Sequence, residues 1–137
     1  MTKRLTGVSQ KIIILNKEGK ILALKRGMTA PSRPGYWDLP GGELEYGEDP
    51  RGGIIRETLE ESGIKIKITD PELIDVLSGI NNLNECWVTI CYVSKVGDVA
   101  VKLSFEHTEY KWISPIDFLK LQVSPKSIKF VETFISK

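Results

Sequence analysis

Three carboxylates, Glu57, Glu60 and Glu61, fall within one short stretch of the chain. On a helix, residues three and four apart are neighbours on one face, so Glu57 sits beside both of the others. Like charges packed this way repel each other and weaken a bare helix. Arg56 reaches Glu60 one turn on, but it does not serve the whole cluster. A hard divalent cation would: Mg²⁺ takes carboxylate oxygens, keeps several waters and is often shared with substrate phosphates. The spacing points to metal-assisted chemistry on a phosphate compound. The plain alternative is a solvated acidic helix face.

The flanks sharpen the first alternative. Gly41-Gly42 predicts a tight turn where backbone approaches a bound ion or phosphate. Asp49 has the chemistry of an N-cap, and Pro50 suits the first helical position. Ser62-Gly63 supplies the stop, with glycine suited to a left-handed C-cap. An acidic helix is therefore predicted from Pro50 to Ser62. A glycine loop enters it from Leu39-Pro40, and an apolar strand follows at Ile64.

This stretch resembles the Nudix box, the signature of the Nudix (MutT-like) hydrolases. Gly42, Glu48, Arg56, Glu57, Glu60, Glu61, Gly63 and Ile64 fall in register with the family pattern, and the box spans 42–64. Thr58 stands where an aliphatic residue is usual; it is β-branched and close to Val in size. The resemblance implies an α/β protein with the Nudix fold, an α/β/α sandwich with a mixed β-sheet and the box as loop-helix-loop. It implies hydrolysis of a diphosphate linkage in a nucleoside diphosphate linked to some group X. It adds the Gly41 carbonyl to Glu57, Glu60 and Glu61 as metal ligands, for Mg²⁺ or alternatively Mn²⁺. It also implies that Glu48 and Arg56 pair to brace the loop. Which carboxylate acts as base varies in the family, between a box glutamate and a glutamate on a later loop. The later candidates here are Glu106 and Glu109, on either side of His107. Glu106 is preferred because it lies in a predicted loop, whereas Glu109 has the character of an exposed strand residue. His107, the single histidine, is expected to be a polar loop residue.

Substrate contacts are written less plainly. Arg26 and Arg33 flank the 27–35 loop, and an arginine fork grips phosphate in a bidentate manner. Tyr36, Trp37 and Trp112 are candidates to stack on a base, with core packing favoured for the two tryptophans. ADP-ribose hydrolases of the family often carry a proline shortly after the box. The corresponding positions here are Gly79 and Ile80. A (deoxy)nucleoside triphosphate is therefore the leading expectation, and ADP-ribose or a nucleotide sugar the alternative. A non-catalytic nucleotide-binding module is a further alternative, but such relatives usually lose box carboxylates and this chain keeps them.

Composition bounds the rest. A chain of 137 residues fits one domain over 1–137. Nineteen basic against 18 acidic residues give a net charge of +1, which does not suggest nucleic-acid or membrane binding. Cys86 and Cys91 match neither a zinc pattern nor a redox pair and are expected to be reduced core residues. A cytoplasmic location follows as the default. No apolar stretch of signal-peptide length follows the basic Met1–Arg4, and the aliphatic run Ile12–Leu15 is far too short to span a bilayer. The oligomeric state is open, a homodimer included.

Around the box, 11–16 and 20–25 predict a hairpin closed by Asn16–Gly19. Tyr36–Leu39 predicts a short strand, and 27–35 and 105–108 predict loops. Ile64–Ile68 alternates apolar residues with lysine, the pattern of a half-exposed strand. Leu73–Ile80, Cys86–Val96 and Tyr110–Ile113 complete the strands. Ser114-Pro115 and Ser124-Pro125 repeat one N-cap device, predicting helices over 115–121 and 125–135. In the last, Ile128, Val131, Phe134 and Ile135 form the expected apolar stripe.

Overall fold

A computed structural model describes residues 3–137; the first two residues of the basic Met1–Arg4 start lie outside that range. The elements in chain order are β1 (Gly7–Leu15), β2 (Ile21–Arg26), β3 (Trp37–Asp38), β4 (Gly41–Glu43), α1 (Pro50–Ser62), β5 (Glu72–Ile80), β6 (Cys86–Lys95), β7 (His107–Ile113), α2 (Pro115–Phe118) and α3 (Pro125–Ile135).

The strands form one mixed sheet ordered β3-β2-β1-β6-β5, with β4 on β1 and β7 on β2. β1 explains its own position. Ile12, Ile13, Ile14 and Leu15 are all buried, which only a strand covered on both faces achieves. Ile12 and Ile14 pack under α1 with Ile54 and Ile64, while Ile13 and Leu15 pack under α2 and α3 with Phe118, Phe130 and Val131. The result is a sheet between helices, the expected α/β/α sandwich.

Pairing departs from the predicted hairpin. Asn16 caps the turn, its side-chain oxygen accepting from the N–H groups of Glu18 and Lys20 at 3.0 Å. Only the rung Leu15↔Ile21 joins β1 to β2. The strands then part. β1 runs parallel to β6 from Gly7↔Trp87 to Leu15↔Lys95, and β2 pairs with β7. The splayed edge of β1 takes β4 instead, in the register Ser9↔Glu43, Gln10↔Gly42 and Lys11↔Gly41.

Four further expectations are corrected. Gly41-Gly42 is strand rather than tight turn. The segment 64–68 forms no ladder, although its alternation is real: Ile64 and Ile66 are buried and Lys65 and Lys67 exposed. The pattern reports which side chains are covered, and no neighbouring strand is there to pair with them. α2 ends at Phe118 and not at 121, closing in a tighter turn in which the Lys120 N–H donates to the Asp117 carbonyl. In α3 the expected stripe holds for Ile128, Val131 and Phe134, which pack on the core, but Ser127 and Phe130 are buried beside them and Ile135 is exposed.

Candidate active site

α1 is built as its sequence requires. The Asp49 carboxylate accepts from the N–H groups of Arg51 and Gly52, and Gly63 ends the helix at φ 73°, where its N–H donates to the Leu59 carbonyl. Thr58 is accommodated within the helix: its buried hydroxyl donates to the Ile54 carbonyl at 2.7 Å and so is not left unpaired. Two contacts dock the helix against β1. Gln10 Nε2 donates to the Pro50 carbonyl at 2.7 Å, and a methyl group added at Gly53 would sit 2.7 Å from Gln10 Oε1. A side chain there would displace the ends of Gln10, Leu44 and Glu48.

That docking sets the carboxylates against β4. Glu61 is only 7 % exposed, and its Oε1 accepts from the Gly41 N–H at 2.8 Å. Burial pushes its carboxyl up to about 8, against the opposing pull of Lys11 and the Gly41 hydrogen bond; the charges of Glu57 and Glu106 push the same way as burial. Glu57 lies against Gly42, where any side-chain carbon would strike its carboxylate. Its carboxyl is also raised, first by burial, with Arg56 opposing and Glu60 and Glu106 adding repulsion. Gly41 is fixed for a separate reason. At φ 153° a Cβ would collide with the Gln10 carbonyl of the paired strand.

Arg56 does more than helix spacing suggested. Its fork holds Glu48 through Nε at 2.7 Å and Nη2 at 3.0 Å, bracing the loop as the resemblance implied. It also contacts Glu57 at 3.0 Å and Glu60 at 3.2 Å, two of the three clustered carboxylates, leaving Glu61 without a guanidinium partner. The hydrogen bonds from Arg56 bring Glu48 down to about 2.

The later glutamates separate clearly. Glu109 pairs with Lys25 at 3.3 Å on an exposed strand surface. Glu106 occupies the turn before β7, its carbonyl accepting from the Gly27 N–H at 3.0 Å, and its charge acts on both Glu57 and Glu61. His107 is not the loop residue expected. It opens β7, 8 % exposed, and burial drives its imidazole down to about 4. It therefore stands neutral at pH 7.

A cleft of about 490 Å³ opens beside Gly42. Arg26 and Arg33 line it, and so do Lys11, Lys126 and Trp87. Tyr36 does not line it; its side chain is half-buried, and its carbonyl accepts from the Arg26 N–H. Trp37 and Trp112 pack into the two cores, Trp37 with the Lys111 ammonium 4.7 Å from its ring centre. Trp87 is the aromatic side chain on the cleft wall. Sequence reasoning passed over it because it sits inside an apolar strand; its signal was alternation with Thr89, which lines the same wall.

Beneath the cleft, Asp38 is 2 % exposed and gathers Lys11 at 3.0 Å, Arg26 at 3.5 Å, Ser124 at 3.3 Å and the Ser127 hydroxyl. Burial alone would raise its carboxyl, but Lys11, Ser127 and Arg26 bring it below the usual range. Ser124 thus holds the N-cap position of α3 while its hydroxyl serves Asp38. Cys91 is buried, Cys86 half-buried, and both are free thiols.

A helix-borne cluster of carboxylates, from the buried Glu61 to the exposed Glu60, beside a cleft lined by basic side chains has the character of a hydrolase of phosphate anhydrides. The NUDIX domain model matches residues 5–134, and the chain belongs to the Nudix family. The MutT protein of Methanosarcina mazei Go1 superposes with a TM-score of 0.85 at 29 % identity, covering 99 % of this chain and 97 % of that one. A MutT-like protein of Streptomyces ambofaciens is 28 % identical over 129 residues, 93 % of this chain and 77 % of the relative. The CTP pyrophosphohydrolase of Escherichia coli K12 is 28 % identical over 127 residues, 90 % of this chain and 87 % of the relative. This chain is accordingly a Nudix pyrophosphohydrolase acting on small nucleotide substrates. Among the described residues no helix is long and apolar enough to cross a membrane.

Nudix hydrolases generally use divalent metal ions. Among the described residues no three potential ligand side chains converge closely enough to enclose an ion, since Arg56 draws Glu57 and Glu60 toward itself. The donor chemistry nevertheless fits. Glu61 is buried and Glu57 partly buried, both are raised in proton affinity, and both lie against glycine backbone. Such a pair takes either a proton or a cation.

Proposed function

We propose that the chain hydrolyses a (deoxy)nucleoside triphosphate to the monophosphate and pyrophosphate. In this reading Glu57, Glu60, Glu61 and the Gly41 carbonyl hold Mg²⁺, with Mn²⁺ as a substitute. The bound ion would neutralise the diphosphate and lower the pKa of a water. The chain's own groups do the rest. Arg26 and Arg33 bind phosphate oxygens from the cleft, and Trp87 offers the base a face. Glu48 and Arg56 hold the loop. A carboxylate takes the water's proton, from Glu57 or Glu106, because Glu61 is tied to the Gly41 N–H.

The observation that carries this reading is the continuity of the cleft. One cleft is lined by Gly42, against which Glu57 lies, by two arginine side chains and by Trp87. A nucleoside lodged at that wall presents its inner diphosphate linkage to the carboxylates. The similarity to CTP pyrophosphohydrolase supports the same substrate class. The position matching the family's ADP-ribose proline falls on β5 as Gly79 and Ile80, so ADP-ribose or a nucleotide sugar ranks second.

The test is a nucleotide panel with Mg²⁺ in ¹⁸O-labelled water. Pyrophosphate release with a single labelled product supports the assignment. Orthophosphate release, with the label in that phosphate, sinks it.

A further inference from the structure

We infer that Lys11 is a catalytic residue of this hydrolase, its ammonium group donating to the substrate's diphosphate beside the carboxylate centre. The inference rests on placing that centre at Glu57 and Glu61, and not on which nucleotide is cleaved.

The register places it. Lys11 pairs with Gly41 across the β1–β4 ladder, and the Gly41 N–H is the donor that holds Glu61. Successive strand residues point to opposite faces. Gln10 reaches α1 on one face, so Lys11 leaves by the other and enters the cleft. Its ammonium donates to Asp38 Oδ2 at 3.0 Å and to the Leu39 carbonyl at 3.3 Å. An ammonium group carries three donors, so one N–H is left for a ligand. Lys11 is also the cation whose charge acts on Glu61.

Lys11 is the nearer of the two cations on Asp38, which also receives Arg26 and the hydroxyls of Ser124 and Ser127. That pairing fixes the ammonium in the cleft wall and leaves it one donor. In the reaction, water oxygen bonds to phosphorus while the bond from phosphorus to the bridging oxygen breaks. The bridging oxygen keeps the electron pair, and the water's proton goes to a carboxylate. Negative charge grows on the departing group, where a fixed cation in a sheltered site is most effective.

Lys11→Met and Lys11→Arg test this with three readings: kcat and KM on a hydrolysed nucleotide, calorimetric binding of methylenediphosphonate with Mg²⁺, and the Tm shift given by Mg²⁺ alone. Lys11→Met is expected to lower kcat roughly 100-fold and to weaken methylenediphosphonate clearly, while the Mg²⁺ shift persists; Lys11→Arg recovers part of both losses. Unchanged kcat and unchanged methylenediphosphonate binding overturn the inference, as does a loss of the Mg²⁺ shift equal to the loss of activity. If Lys11→Met does not fold, the double variant with Asp38→Asn removes the orphaned carboxylate and is read the same way. Should the wild type cleave no nucleotide but another diphosphate compound, the nucleotide assignment fails and Lys11→Met is read on that compound; a wild type that cleaves neither overturns the inference.

Discussion

Glu61→Gln should make the metal-free protein more stable, by an amount that grows with pH. The side chain is buried, and its carboxyl is raised to about 8. In the unfolded chain it ionises near 4.5. Below that pH both states hold the proton and the group's contribution is fully present. Between 4.5 and about 8 the unfolded state ionises while the folded state keeps its proton, so stability falls as pH rises through that window. At about 1.4 kcal/mol per pH unit, the ceiling is roughly 5 kcal/mol; water entry and a shift of Lys11 toward the carboxylate reduce it, and about 2 kcal/mol is a realistic order of magnitude. Glutamine keeps the oxygen that accepts from Gly41 and carries no charge, so it removes the cost. The assay is urea unfolding in EDTA at pH 5, 7 and 8.5 for both proteins. Their difference should be small at pH 5 and largest at pH 8.5. Millimolar Mg²⁺ should then stabilise the wild type far more than the variant, because a ligand that binds only the folded state adds to its stability. A difference that does not change with pH would refute the buried, proton-hungry carboxylate and the cation site built on it.

Arg56→Ala should lower Tm by several degrees, with a smaller loss of turnover per folded molecule, because Glu48, Glu57 and Glu60 lose one shared partner; unchanged Tm with abolished activity would place Arg56 in the chemistry. Glu106→Gln should cut kcat roughly 100-fold if that carboxylate takes the proton, while Glu109→Gln, removed from the centre by its pairing with Lys25, should leave it near wild type; the reverse order in steady-state kinetics would exchange their roles. Trp87→Ala should raise KM more than it lowers kcat, as loss of a wall that binds ground state and transition state alike; an unaffected KM would remove the base from that wall.

What the sequence revealed was local, and what it hid was long-range. Asp49, Pro50 and Gly63 set the bounds of α1 because a cap acts on the few N–H and C=O groups beside it. Glu57, Glu60 and Glu61 were readable for the same reason, since three- and four-residue spacing fixes their common face. The strand β4 was invisible: two glycines read as a turn, and only the splayed edge of β1 makes them a ladder. Lys11 was hidden because it opens an aliphatic run and looks like the polar edge of a strand. Asp38 was read only as part of the short strand Tyr36–Leu39, yet its partners come from three other parts of the chain. His107 and Ile64–Ile68 were misjudged in opposite senses. Each was assigned from its own polarity or alternation, while its state depends on whether a partner strand stands next to it.

The parallel ladder between β1 and β6 has a consequence for how the chain is made. Ser9 meets Thr89 across a separation of 80 residues. At synthesis rates of about 5–20 residues per second, β1 waits several seconds for that partner to emerge. Ile54 and Ile64 emerge within that interval to cover Ile12 and Ile14, but Phe118 and Phe130, which cover Ile13 and Leu15, come later still. Pairings between remote segments form slowly because the loop must close before any contact rewards it. The nascent chain therefore carries its stickiest strand at the front and completes it near the end. Any truncation that removes β6 strips that strand of its nine-residue ladder and leaves it only the short pairings with β4 and β2.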